Sequence, residues 1–133
     1  MSITEGDSRV LITGMVKTAG ADITQYDAVA FNGDGEIVPA KADSADTMPC
    51  VGIAQAAAVE GADVEVVFIG PSLSRPDTTL VPDGSVFVSA SEAGKITQTA
   101  PSAEGTYQQQ IGVSIGASTI MVQIAKSVYR RPS

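Results

Sequence analysis

Histidine and tryptophan are absent from this 133-residue chain, cysteine occurs once, and tyrosine and phenylalanine occur three times each. Without histidine, a serine or cysteine nucleophile has no imidazole base, and general acid–base chemistry falls to carboxylates in a concave, partly apolar site. One cysteine, Cys50, excludes an internal disulfide and a cysteine-rich metal cluster. Between Pro49 and Val51 it reads as a small buried hydrophobe rather than a nucleophile. The shortage of aromatics leaves Val, Ile, Ala and a few Leu and Met to fill a core, and small side chains suit thin, closely spaced sheets. No apolar run approaches the roughly 20 residues of a membrane span, and MSITEGDSR lacks the basic and apolar regions of a signal peptide. A soluble protein made in the cytoplasm is therefore expected.

Excess positive charge is also lacking. The net charge is −7, which gives no electrostatic reason to bind nucleic acid or an anionic membrane. The charge is unevenly placed: residues 1–70 carry 11 acids and 3 bases, residues 71–133 carry 4 acids and 5 bases. An acidic surface could meet a basic one on a neighbouring subunit, or both could simply face solvent. A hydrophobic content of 44% with 17% charged residues places the chain among folded proteins, and its length suits a single domain.

What the sequence does contain is a repeat. Val51-Gly52-Ile53 is matched by Ile111-Gly112-Val113, and the alternating Val64-Glu65-Val66 by Ile120-Met121-Val122, with a loop four residues shorter the second time. A hairpin precedes each copy. Ala28–Phe31 and Glu36–Ala40 flank Asn32-Gly33-Asp34-Gly35, a strong turn signal; Val86–Ser89 and Lys95–Thr99 flank Glu92-Ala93-Gly94. Gly14 within Arg9–Lys17 predicts a bulge or bend. Gln55–Val59 is alanine-rich enough for one helical turn before Gly61. Residues 42–49 and 101–110 read as polar loops, and 70–83, with three prolines, as a connector between the halves. The expected fold is all-β, a small β-barrel or sandwich built from a duplicated hairpin-plus-strand unit with little helix. Its parts are an N-terminal arm (1–8), one β domain (9–126) with internal repeats at about 23–70 and 80–125, and an exposed C-terminal tail (127–133).

No constellation points to catalysis, and no catalytic, cofactor or metal residue is assigned. Glu60, Asp63 and Glu65 form the densest acid group, but Asp63 and Glu65 alternate with valines and belong on the solvent face of a strand. Asn32–Glu36 places oxygens at alternate positions like a calcium loop, yet it is too short and is flanked by strands. Ser114 fits the letters G-x-S-x-G in a strand context, without a histidine to serve it.

The block order Gly84 to Thr99, then Gln110-Ile111-Gly112-Val113-Ser114 and Ser118-Thr119-Ile120-Met121-Val122, preceded by a looser copy from Asp27 to Val66, resembles the capsid decoration, or cement, proteins of tailed bacteriophages. The resemblance spans about residues 23–125. It implies an all-β fold, a homotrimer, and binding to the major capsid protein on the outer surface of the expanded head, hence a virion location after synthesis in the host cytoplasm. The connector GPSLSRPDTT and the tail YRRPS have no counterpart in that pattern. Within the arm, backbone pairing to an exposed capsid edge would place Ile3, Thr4, Glu5 and Arg9 in contact with the capsid. Two other classes fit a duplicated β unit: a phage head-fibre, tail-fibre or baseplate module, and a carbohydrate-binding β domain, for which the few aromatics are the candidate sugar platforms.

Overall fold

The computed structural model describes residues 14–76, 78–125 and 129–130. Two five-stranded antiparallel sheets account for most of them, as the all-β expectation requires. The first contains β1 (Gly14–Thr18), β2 (Ala28–Phe31), β3 (Ile37–Pro39), β4 (Cys50–Ala54) and β5 (Asp63–Val67), in the order β1-β5-β4-β2-β3. The second contains β6 (Ile69–Leu73), β7 (Ser85–Val88), β8 (Ile96–Thr97), β10 (Gln110–Ser114) and β11 (Thr119–Gln123), in the order β6-β11-β10-β7-β8. A short ribbon pairs β9 (Tyr107–Gln108) with β12 (Tyr129–Arg130).

Strand for strand, the two orders are the same. Edge pairing agrees in register, with Gly14 to Thr18 facing Val67 to Asp63 and Ile69 to Leu73 facing Gln123 to Thr119. A β-bulge falls at the same place in both sheets, leaving Val51 and Ile111 as the extra residues beside Gly52 and Gly112. Both glycines are required by close approach: a Cβ would lie 2.6 Å from the Val67 carbonyl oxygen at Gly52, and would overlap the Met121 carbonyl oxygen at Gly112. The loops agree as well. Tyr26 and Asp83, the two non-glycine residues with positive φ among the described residues (69° and 65°), donate their N–H to the Ala54 and Ser114 carbonyls. Ala54 and Ser114 donate in return to Asp27 and Gly84. The one change of register is in the hairpin whose loop is shortened: Ile53 faces Val67, whereas Val113 faces Met121.

Several local expectations need correction. The repeat starts earlier than residues 23 and 80, because each unit begins with an edge strand, β1 or β6. Ile69–Leu73 is therefore strand rather than connector; Pro71 is tolerated because β6 lies at the edge of its sheet, where a missing N–H costs least. Gly14 is not a bulge: it pairs regularly with Val67, and a Cβ there would lie 2.8 Å from the Val66 carbonyl oxygen. Gln55–Val59 forms no helical turn, since Ala58 is held in an antiparallel bridge to Ile23. The single helical turn among the described residues is a 3-10 turn at Ala45–Thr47, capped by the Ser44 hydroxyl accepting from the Asp46 N–H at 3.1 Å. Two segments read as loop and tail contribute β9 and β12.

Packing separates an inner and a shared core. Ala19, Ile23, Val29, Ile37, Ala54, Val64 and Val66 fill the first unit, which is drawn toward a barrel by a parallel bridge between Ala19 and Ile37 and by Gly20 donating to Ile37 at 2.7 Å. The corresponding interior of the second unit, Leu80, Val86, Ile96, Ile111, Ile120 and Val122, merges with the outer face of the first sheet, Ala28, Ala30, Ile53 and Val67, into one cluster. The largest fully buried side chains of that shared cluster are isoleucines. Each contributes about 1.5–3 kcal/mol by burial, so stability rests on many modest terms.

Candidate functional site

Polar side chains buried between the halves are committed to structure. Gln109 is fully buried; its Oε1 accepts from the Cys50 N–H at 2.7 Å, and its Nε2 donates to the Cys50 and Ala125 carbonyls at 3.0 and 3.2 Å. It thus replaces a strand neighbour across the seam. Asp27, also buried, accepts from the Thr24 N–H at 2.8 Å and from Arg75 Nη1 at 2.8 Å, tying the start of β2 to the segment after β6. Backbone bonds complete the seam: Ala28 donates to Gly94, Gly94 to Ala40, Ala42 to Ser89 and Tyr107 to Ala42, all within 2.9 Å.

The nucleophile candidates have the same character. Burial pushes the Cys50 thiol up to about 12 from an ordinary 9.0, with backbone hydrogen bonding from Gly52 and Val29 pulling the other way; the Sγ–H is itself donated to the Gly52 carbonyl at 3.4 Å. At neutral pH it is a thiol packed among apolar neighbours. The Ser114 hydroxyl is fully buried, donates to the Val81 carbonyl, and accepts from the Gly84 N–H at 3.0 Å and from Gln98 Nε2 at 3.1 Å. Every lone pair and proton it has is in use. Asp63 and Glu65 lie on the exposed face of β5 with Val64 and Val66 turned inward, and Thr18 donates to Asp63 at 3.0 Å. Asn32 Oδ1 accepts from the Asp34 and Glu36 N–H groups, both at 2.9 Å, so the turn consumes the oxygen that a cation would need.

Ile3, Thr4, Glu5 and Arg9 lie outside the described residues, and nothing here bears on them. The feature the sequence reading missed is on the outer face of the second sheet. Ser85, Val113, Met121 and Pro71 face one another across β7, β10, β11 and β6, with Ile115 and Leu73 in the adjoining row and Ile69 at the far end of β6. Val113 and Met121 are 36% and 42% exposed, and Ile69, Leu73 and Ile115 more so. None of these seven side chains carries charge. Beside them a shallow depression of about 430 Å³ is lined by Gln110, Gly112, Val113, Gln123, Ile124 and Ala125. In the first sheet the hairpin register is shifted by two residues, so the row through Ile53 is Ala28, Ile53, Val67 and Gly14, with Ile53 1% and Val67 9% exposed, while the positions that match Met121 and Pro71 are Glu65 and Val16, both exposed. One signal was available in sequence: Met121 stands where the first copy has Glu65. The other, alternation of Ile69 and Leu73, is masked by the proline between them.

No family model matches the chain, and no curated protein matches it in sequence.

Proposed function

We propose that this chain is a virion structural protein: a capsid decoration protein that binds the outer surface of the expanded head of a tailed bacteriophage and stabilises it as a homotrimer. The observation that carries the reading is the exposed, uncharged row Val113–Met121–Pro71 with its neighbours Ile69, Leu73 and Ile115, an adhesive surface on a rigid duplicated sheet. Support also comes from the committed state of Ser114, Cys50 and Gln109, which hold the scaffold together and leave recognition to its surface. The resemblance to phage decoration proteins supplies the partner, the major capsid protein, and the location. No cofactor and no catalytic turnover belong to this reading.

Cosedimentation with expanded and unexpanded empty heads tests it. The expected result is saturable binding to expanded heads, with labelled protein covering the head in electron micrographs and the heads withstanding more heat or chelation. Label confined to a few sites on the tail or at its fibres would replace the decoration role with that of a fibre or baseplate module. Deleting residues 2–8 is expected to leave a folded domain that no longer sediments with heads; retained binding would remove Ile3, Thr4 and Glu5 from the contact.

A further inference from the structure

We infer that Asn32 is a site of self-modification: in the folded protein its side-chain amide is lost to attack by the Gly33 backbone nitrogen, leaving aspartate or isoaspartate at the tip of the first hairpin. The inference does not depend on the proposed function. What carries it is a free backbone N–H beside a side-chain amide that the turn holds in place.

Three Asn-Gly or Asp-Gly pairs occur in the chain, and each could close a succinimide ring, because glycine puts no side chain in the way of the attacking nitrogen. Two are locked. Gly35 donates its N–H to the Asn32 carbonyl at 3.2 Å, which occupies the nitrogen of Asp34-Gly35, and Gly84 donates to the Ser114 hydroxyl at 3.0 Å, which occupies that of Asp83-Gly84. An N–H so engaged must give up its bond before it can lose its proton and attack. The Gly33 N–H has no partner among the described residues, and a Cβ at Gly33 would meet nothing within 4 Å, so water and hydroxide reach it.

The turn also prepares the group under attack. Asn32 Oδ1 accepts from the Asp34 and Glu36 N–H groups, both at 2.9 Å, and two such donors stabilise the negative charge this oxygen takes on when Cγ becomes tetrahedral. Asn32 Nδ2 donates to Glu36 Oε1 at 3.1 Å, so the departing nitrogen gathers positive charge beside a carboxylate. The Gly33 nitrogen gives its proton to hydroxide and bonds to Cγ, the Cγ–Nδ2 bond breaks, and ammonia leaves with a proton from water. Water then opens the succinimide at either carbonyl, and the net change is amide plus water to carboxylate plus ammonium. The product acts on the fold. A carboxylate at position 32 replaces a donor to Glu36 with a like charge, and the two side chains sit over Gly20, where a Cβ would lie 2.6 Å from Asn32 Nδ2 and 3.1 Å from Glu36 Cβ. Gly20 donates to Ile37 where the first unit is drawn toward a barrel, so the reaction loosens that closure.

Native protein held at mildly alkaline pH, followed by peptide mass spectrometry and isoaspartyl methyltransferase labelling, reports all three pairs at once. The same sites in the chain unfolded in guanidinium chloride give each its reference rate. Folding should slow Asp34 and Asp83 by about tenfold or more and leave Asn32 reacting at no less than its unfolded rate, which rises in proportion to hydroxide. Gly33→Ala, checked for folding by circular dichroism, should slow the loss of ammonia by about tenfold or more, since a methyl group shields the nitrogen and narrows its backbone freedom. Asn32→Asp should lower the denaturant midpoint, and adding Glu36→Gln should restore it, because the like charge is then gone. An Asn32 that lasts about tenfold longer in the folded protein than in the unfolded chain overturns the inference, as does protection of Asp34 and Asp83 no greater than that of Asn32. An Asn32→Asp midpoint equal to that of wild type overturns the effect on closure.

Discussion

Replacing Gln109 with leucine tests the seam between the halves most directly. Leucine has nearly the same volume, so the cavity contribution is small and the loss is one of hydrogen bonding. The Cys50 N–H and carbonyl lose the partners at 2.7 and 3.0 Å inside a buried strand, while the half-buried Ala125 carbonyl can turn to water. Each buried group left unpaired costs about 1–3 kcal/mol, so Gln109→Leu should cost about 2–5 kcal/mol, a large part of the roughly 5–15 kcal/mol that a domain of this kind has. In urea, with a slope of about 2 kcal/mol per molar, the midpoint should fall by about 1–2.5 M. Gln109→Glu makes a sharper companion. Its carboxylate can still accept from the Cys50 N–H but would face two carbonyl oxygens in a buried site, so its folded-state pKa must rise above that of the unfolded chain. The folded state then holds a proton that the unfolded state has lost, and the variant should gain stability relative to wild type as pH falls from neutral toward 5. A Gln109→Leu protein within about 0.5 kcal/mol of wild type, or a glutamate variant whose deficit does not change with pH, would show that the side chain does not hold the seam.

Gly112→Ala drives a Cβ into the Met121 carbonyl and Gly52→Ala drives one into the Val67 carbonyl, so both should destabilise the fold by about 1–3 kcal/mol in denaturant titrations. Equal stability with alanine would mean that the paired strands can separate freely at the bulge. Asp27→Ala strips a buried partner from Arg75 and should cost about 3 kcal/mol, with a double-mutant cycle against Arg75→Ala giving a clear coupling energy; additivity would dismiss the pair as a link between the halves. For Cys50 the sign follows from a folded thiol pKa of about 12 against 9.0 unfolded. Above pH 9 the unfolded chain sheds a proton that the folded one keeps, so stability should fall by up to about 1.4 kcal/mol per pH unit until pH 12. Cys50→Ala should show a shallower alkaline decline than wild type by that slope, and identical slopes would refute the burial effect.

How much of this could be read from sequence depended on whether one strand carried the whole signal. Alternation within Val64-Glu65-Val66 identified β5 and its solvent face, and Asn32-Gly33-Asp34-Gly35 located the first hairpin, because each feature is local and its chemistry uniform. Strand β6 was hidden by Pro71, whose acceptability depends on lying at a sheet edge, a fact of topology rather than of neighbouring residues. The same holds for Gly14, which resembles a bend but is excluded from having a side chain by a carbonyl 52 residues away in the chain, that of Val66. Gln109 offered no sign at all; a glutamine in a run of three reads as solvent-facing until a second unit folds against it.

The repeats diverge where their surroundings differ. Interior positions stay apolar in both copies, Val29 with Val86, Ile37 with Ile96 and Val64 with Ile120, since each unit must fill the same small space with branched side chains. Ala54 became Ser114 where Val81, Gly84 and Gln98 supply partners for a hydroxyl, a substitution that would otherwise bury an unpaired oxygen. On the outer faces the divergence runs the other way. Ala28 and Ala30 are small because the second unit lies against them, while their counterparts, the exposed Ser85 and the half-buried Phe87, are polar or larger. Met121, Leu73 and Ile69 stay apolar and exposed on the second sheet, whereas the first keeps Asp63 and Glu65 on the strand that matches that of Met121.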